Sequence, residues 1–370
     1  MKAIRPVCRL ALIAAVFSMA HDPSSAAPSA PSYSVHDLGT LRGGFQTVAS
    51  GINNDGVVSG SASTGLSRDM EGPYHPFLFV HGRVEDLGLA PGQIWGSAGR
   101  INDRNQFVCY QYVELGGKAT PFLYSDGRFH NLYELFGNSN ALPATINNRG
   151  GFVGSEFVSA TRQWVAFVYT NGVLTQLATL VPGAGSFAID INDAGVIVGY
   201  ANLNATFERP FRAVMFADGQ AIDLGVVPGL ESSSASRINQ RGHILGNSIS
   251  FTTERSRGFL YRDGQMVDIG VLPGDTDCVA IDFNNSDEIV GTSYHISGGG
   301  YVFHPVLYNA DGVWDLQTLI PGRSEWVFQA AAGINDRGQI LLVGQRDFGP
   351  QRTLLLTPHS PGGASPGLRR

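Results

Sequence analysis

The chain has 370 residues, 43% of them hydrophobic, with 47 glycines and 19 prolines. That apolar share excludes a disordered polymer, and so many glycines among apolar residues fit many short strands joined by tight turns. The formal charge of -6 becomes -8 once the first 27 residues are set aside, and no basic stripe is present, so nucleic acid is excluded as a partner on electrostatic grounds.

Residues 1–27 read as a secretory signal peptide. Lys2, Arg5 and Arg9 precede the apolar run from Leu10 to Ala20, and small residues follow at Ser25-Ala26-Ala27. The run is too short to span a bilayer, and no later stretch is long enough either. The expectation is a secreted or periplasmic monomer with no membrane span, a domain over residues 33–358, and a flexible tail over 359–370. Cys109 and Cys278 lie far apart in the repeat series described next, so no disulfide between them is expected.

Seven times an isoleucine or phenylalanine is followed by asparagine: Asn53, Asn102, Asn147, Asn192, Asn239, Asn284 and Asn335. The spacings are 49, 45, 45, 47, 45 and 51 residues, the period of a four-stranded propeller blade. Each asparagine opens a four-residue turn whose last position is Gly56, Asn105, Gly150, Gly195, Gly242, Asp287 or Gly338. These types tolerate positive φ, as a type I turn closing into a bulge demands. A second hairpin follows in each unit, with turns at His81-Gly82, Asp126-Gly127, Asn171-Gly172, Asp218-Gly219, Asp263-Gly264 and Asp311-Gly312. The unit closes on Asp-Leu-Gly (residues 37–39, 86–88 and 223–225) or Asp-Ile-Gly (268–270), with looser versions at Asn131-Leu132 and Asp315-Leu316.

With the strands of a unit lettered A to D from the one that ends in Asn, strand A is innermost. Four residues before each Asn the side chain is small, as crowding near an axis requires, and the residue directly before it is apolar and fills the space between blades. The chain begins with a lone D-type strand, Tyr33 to Leu38, and ends on a lone C-type strand, Arg352 to Leu356. Pairing them completes a seventh sheet. The predicted fold is therefore an all-β, seven-bladed β-propeller of four-stranded antiparallel blades, the last closed by the N-terminal strand. An open solenoid is the competitor, but it needs capping units that are absent.

The stretch Asp37-Leu38-Gly39-Thr40-Leu41-Arg42-Gly43-Gly44, followed by Ala49, Gly51-Ile52-Asn53-Asn54 and Gly56-Val57-Val58, resembles the HAF repeat family of exported proteins. The name tripeptide is degenerate here, reading His75-Pro76-Phe77 and His304-Pro305-Val306 in two of the units, and Arg42 stands where glycine is usual. The resemblance implies bacterial export and a repeat fold, and carries no catalytic residue to transfer.

The turn asparagines are expected to bond their own backbone, and the Asp of the closing signal is likewise read as structural. Residues two positions before each Asn (Gly51, Arg100, Thr145, Asp190, Arg237, Asp282 and Gly333) mix charges at one level near the axis, as a polar channel rim or interblade ion pairs would, and the balance of Arg and Asp favours pairing. Function is expected on the D-to-A and B-to-C loops. The D-to-A loops carry Arg42, Gln93, Trp95, Glu231, Asp275, Asp277, Arg323, Glu325 and Trp326. Carboxylates from Glu231, Asp275, Asp277 and Glu325, gathered beside Trp95 and Trp326, would make a carbohydrate or protein-binding surface.

A binding or scaffold module contacting a glycan, a peptide or a cell-envelope component is the leading expectation. A lyase or glycoside hydrolase using the same acidic residues is the rival, and a structural surface or matrix protein the third reading. No cofactor and no metal are expected. Asp275-Thr276-Asp277 lacks the later oxygen ligands of a calcium loop, no His-Glu-x-x-His or Cys-x-x-Cys is present, and His75 and His304 read as equivalent remnants of the repeat. Nor is there a nucleophile elbow or a phosphate loop.

Overall fold

The computed structural model describes residues 30–65, 73–114, 116–205, 209–322, 324–347 and 349–359. The stretch expected to be a signal peptide, the tail beyond His359 and Arg323 lie outside the described residues. Within them the chain forms seven four-stranded antiparallel sheets. Strand β1 (Tyr33–Asp37) comes first. Blade 1 holds β2 (Thr47–Ile52), β3 (Val58–Ser63), β4 (Tyr74–Val80) and β5 (Arg83–Asp86). Blade 2 holds β6 (Trp95–Ile101), β7 (Phe107–Tyr112), β8 (Thr120–Ser125) and β9 (Arg128–Asn131), followed by α1 (Leu132–Phe136). Blade 3 comprises β10 (Ala141–Ile146), β11 (Phe152–Val158), β12 (Gln163–Thr170) and β13 (Val173–Gln176). Blade 4 comprises β14 (Ser186–Ile191), β15 (Ile197–Asn202), β16 (Phe211–Ala217) and β17 (Gln220–Asp223). In blade 5 are β18 (Ser232–Ile238), β19 (Ile244–Ile249), β20 (Ser256–Arg262) and β21 (Gln265–Asp268). In blade 6 are β22 (Asp277–Phe283), β23 (Ile289–Ser297), β24 (Gly300–Asn309) and β25 (Gly312–Asp315), then a 3-10 turn, Leu316–Leu319. Blade 7 holds β26 (Val327–Ile334), β27 (Ile340–Gln345) and β28 (Arg352–Pro358), and its fourth strand is β1.

The two ends of the propeller therefore meet as the sequence predicts: Tyr33 pairs with Pro358 and Asp37 with Leu354. The ladder continues past both strand ends, through His359 N–H to Ser32 O at 2.8 Å and Leu38 N–H to Thr353 O at 3.1 Å. With β1 added, blade 7 has the same four strands as the other blades and the ring has no seam.

Seven apolar clusters make up the core, one at each interface between neighbouring blades. In β27 the alternation of side chains is plain. Ile340 and Leu342 join the cluster shared with blade 6, whereas Leu341 joins the one shared with blade 1. The position before each turn asparagine is buried throughout, as in Ile146, Ile191 and Ile334.

At the A-to-B turns each asparagine does more than expected. Asn147 Oδ1 accepts the N–H of Arg149 at 3.0 Å and of Gly151 at 2.8 Å, fixing its own turn. Its Nδ2 donates to the carbonyl of Asn192 in the next blade at 2.9 Å. The same donation runs from Asn53 to Asn102, Asn102 to Asn147, Asn192 to Asn239, Asn239 to Asn284, Asn284 to Asn335 and Asn335 back to Asn53. One closed circle of buried hydrogen bonds thus binds all seven blades. The following residues form a second circle, in which each backbone N–H, from Asn54 through Asp336, is accepted by the side chain one blade on. All seven closing positions of these turns, Asn105 and Asp287 included, have positive φ.

Strand A is bulged in every blade, a feature the sequence reading does not anticipate. One residue is extra between Ala49 and Gly51 in β2 and at the matching step of β10, β14, β18, β22 and β26. Opposite it stands Leu342 in blade 7 and glycine in the other five, for a steric reason. A Cβ on Gly199 would stand 1.9 Å from the carbonyl oxygen of Phe187.

One local expectation is corrected. Five of the C-to-D turns have positive φ at both central residues, as in His81 and Gly82, but Asp311 does not. Asn309 pairs with Gly312, so the turn is Ala310-Asp311 and Gly312 already belongs to β25. Asn131 and Asp315 stand at the register of the closing aspartates, as the looser versions of that signal should, but the chain continues differently after them. In Asp-Leu-Gly the carboxylate accepts the N–H two residues on, as Asp86 does from Gly88. Asn131 and Asp315 make the same bond to Tyr133 and Gln317, but no glycine follows to turn the chain, and each residue caps a helical turn instead.

Candidate functional site

Charge pairs cross the axis of the ring. Arg100 donates to Asp282 at 2.9 Å across the channel, and Arg237 Nε stands 3.6 Å from the same carboxylate, whose side chain is 2% exposed. Asp282 also accepts Ile334 N–H, while Asp190 accepts the N–H groups of Ile191 and Ile238. Burial pushes the Arg237 guanidinium down to about 10, with Arg100 adding repulsion. Burial also raises Asp190 against the pull of Arg237 and Arg100, and although burial works to lower Arg100, the carboxylates of Asp282 and Asp190 hold it above its ordinary value. The space left in the channel is about 160 Å³, lined by the turn asparagines with Arg100 and Asp190.

Each of the four carboxylates singled out in the sequence is held by its own partners. Glu231 holds its own B-to-C loop, accepting from the Ser250 hydroxyl and the Phe251 N–H. Hydrogen bonds from Thr252 and Ser250 lower its pKa. Asp277 ties blade 6 to blade 5 through Arg255 Nε and the Ser256 N–H, both at 2.9 Å. Although burial works to raise Asp277, Thr276, the Ser256 N–H and Arg255 together hold it below the ordinary carboxylate value. Glu325 is exposed and paired with Arg346 at 3.1 Å.

Asp275 faces another way, toward His295 Nδ1 at 2.7 Å and His304 Nδ1 at 3.0 Å. Burial would raise it too, but Ser293, His295 and His304 bring it below its usual range. His304 stands at the same register as His75, as the sequence reading has it, but its partner differs. His75, its counterpart in blade 1, bonds Asp86, the closing aspartate of its own blade, at 2.9 Å. In blade 6 the corresponding Asp315 is occupied as a cap, and His304 meets Asp275 and lies beside His295 instead.

Nor are the two tryptophans neighbours. Trp326, in blade 7, sits under Arg346 in a shallow groove of about 330 Å³ with Glu325, Tyr33 and His359. Trp95, in blade 2, packs edge-on between Tyr74 and Tyr112, at 6.2 and 5.0 Å between ring centres. Tyr112 leads into a cleft that sequence reasoning missed. It lies between blades 2 and 3 on the D-to-A and B-to-C loop side, with a volume of about 470 Å³.

The cleft is built from strand ends and α1. Tyr110 and Tyr112 alternate with Gln111 on β7, so both rings point to the same side. Phe157 and Trp164 are a cross-strand pair of β11 and β12, with ring centres 5.6 Å apart. Tyr133 comes from α1, and Lys118, Ser139 and Asn140 come from the loops. The Tyr110 hydroxyl donates to the Pro143 carbonyl at 2.6 Å, and its burial raises its pKa. Lys118 Nζ lies 5.0 Å above the Tyr133 ring and donates to Ser139 O at 3.0 Å, bridging the opening. The lining includes no Asp or Glu among the described residues. Aromatic side chains clustering between loops 118–119 and 139–140 would have been the signal in the sequence, but their positions do not repeat from blade to blade.

The fold and the cleft define a β-propeller with an aromatic recess on its loop side. No family model matches the chain, and no curated protein matches it in sequence. Among solved structures it is similar to a gluconolactonase from Xanthomonas campestris, at 11% identity over 91% of this chain and 99% of that one, with a TM-score of 0.35. A puromycin hydrolase matches at 13% identity over 78% of this chain and 40% of the other, with a TM-score of 0.33. The catalytic domain of an alpha-L-arabinofuranosidase from Coprinopsis cinerea matches at 10% identity over 90% and 98%, with a TM-score of 0.27. Likeness of this degree assigns neither activity nor substrate to the present chain.

Proposed function

We propose that this is an exported, monomeric binding module that takes a carbohydrate chain in the cleft between blades 2 and 3. The observation that carries the reading is the lining: Tyr112, Tyr133, Phe157 and Trp164 offer flat apolar rings, with Lys118, Ser139 and Asn140 as polar groups at the rim. Aromatic faces bury the C–H faces of a sugar ring, and the few polar groups fix its hydroxyls, the composition typical of small-molecule sites of this volume. Binding is favoured over glycoside cleavage at this place, because cleavage needs two carboxylates flanking the bond and the described lining supplies none.

A glycan array followed by titration of the intrinsic tryptophan fluorescence tests the proposal. Trp164→Ala is expected to weaken binding of the best glycan by roughly thirtyfold, the scale of an aromatic hot spot, with little change in melting temperature. Affinity unchanged by Trp164→Ala and Tyr112→Ala together, or binding of peptides but of no glycan, would reject it.

A further inference from the structure

We infer that Asp275, His295 and His304 form a binding site for one divalent transition-metal ion on the loop side of blade 6. The three donors lie within 4.8 Å of one another. An ion held at roughly 2.0–2.2 Å by imidazole nitrogen and carboxylate oxygen needs donors about 3 Å apart. Each imidazole already meets its own carboxylate oxygen on that scale, His295 Nδ1 with Asp275 Oδ1 at 2.7 Å and His304 Nδ1 with Oδ2 at 3.0 Å.

The site is preorganised by backbone and by a supporting hydroxyl. Asp275 N–H donates to Leu272 O and Thr276 N–H to Tyr294 O, which fixes the loop against β23. Ser293 accepts the Leu272 N–H at 3.0 Å and also hydrogen-bonds Asp275. Such outer partners orient a ligating carboxylate. His304 is paired directly with Ser293 across the hairpin, and His295 is two residues along from Ser293 on the same face. The hairpin strands run 9 and 10 residues, against 6 and 7 in blade 5, and this extension supplies His295.

The charges fit a cation. A carboxylate side chain only 2% exposed is faced by two imidazoles, each 29% exposed, so the open coordination positions point toward solvent. Two nitrogen donors with one oxygen suit zinc, cobalt or ferrous ion, and disfavour calcium and magnesium, which take oxygen ligands. On binding, each ring carries its proton on Nε2, and the Nδ1 lone pair replaces the Nδ1–H now directed at Asp275. No net proton release is required from neutral imidazoles.

Purified full-length protein, stripped with a chelator, is titrated with zinc by calorimetry and with cobalt by visible spectroscopy. One equivalent per chain is expected, with His295→Ala and His304→Ala each weakening uptake by at least a hundredfold at unchanged melting temperature of the metal-free form. His75→Ala, which removes the equivalent single-imidazole contact in blade 1, should leave uptake as it is. Absence of stoichiometric uptake by the intact protein, or uptake retained in the His295→Ala/His304→Ala double variant, would overturn the assignment. Neither result bears on the aromatic cleft, whose test is separate.

Discussion

Replacing Asp282 by alanine is expected to destabilise the protein by about 3–5 kcal/mol, the cost of leaving buried charge uncompensated. The carboxylate holds Arg100 of blade 2, Arg237 of blade 5 and the Ile334 N–H of blade 7, so three other blades lose a partner at once. With two arginines and two aspartates at this level the formal charges cancel, and the variant leaves one positive charge there unbalanced. Asp282→Asn keeps an acceptor for Ile334 and should lose less. Combining Asp282→Ala with Arg100→Met should recover part of the loss, since the cycle measures the coupling itself. Equilibrium urea unfolding reads all three.

Asn147→Ala is expected to destabilise the protein by about 3 kcal/mol, from three hydrogen bonds at about 1 kcal/mol each and the buried groups left without partners. Two of those bonds close the local turn and one reaches blade 4. Asn148→Ala provides the contrast. Asn148 belongs to the second circle, at the channel mouth, where water replaces its bonds to Asp103 and Asp193, so a loss below about 1 kcal/mol is expected. Equal losses for the two variants would mean that the inner circle has no special weight.

Much of the wheel was legible because its signals are local and repeated. A turn that demands positive φ announces itself as Gly, Asn or Asp, and seven of them at one period define the blades. Strand-A bulges were not legible: Ser50 and Ile189, the extra residues of β2 and β14, share no chemistry, and only the glycine opposite betrays them. The ion pairs at the axis were foreseen in kind, since Arg100, Asp190, Arg237 and Asp282 stand at one level of the repeat.

The loop side was read less well. Sequence reasoning gathered Glu231, Asp275, Asp277 and Glu325 by proximity of their loops, yet each side chain is directed by its own set of partners, which for Asp277 lie in blade 5. His295 reaches Asp275 only through the register of an extended hairpin, and Tyr112, Tyr133, Phe157 and Trp164 converge only once blades 2 and 3 are packed. Non-repeated contacts of this sort leave no period to find.

The central claim is that the first strand of the wheel lies beside the last. Ser34 and Thr357 are exposed and directly paired in that ladder, and side chains directly opposite in an antiparallel pair stand about 5 Å apart at Cβ. Nitroxides attached at Ser34→Cys and Thr357→Cys, with Cys8 replaced and the buried Cys109 and Cys278 left in place, should show strong dipolar broadening in the continuous-wave spectrum of the dilute protein. A spectrum equal to the sum of the two singly labelled proteins would mean an open array and would contradict the closed ring.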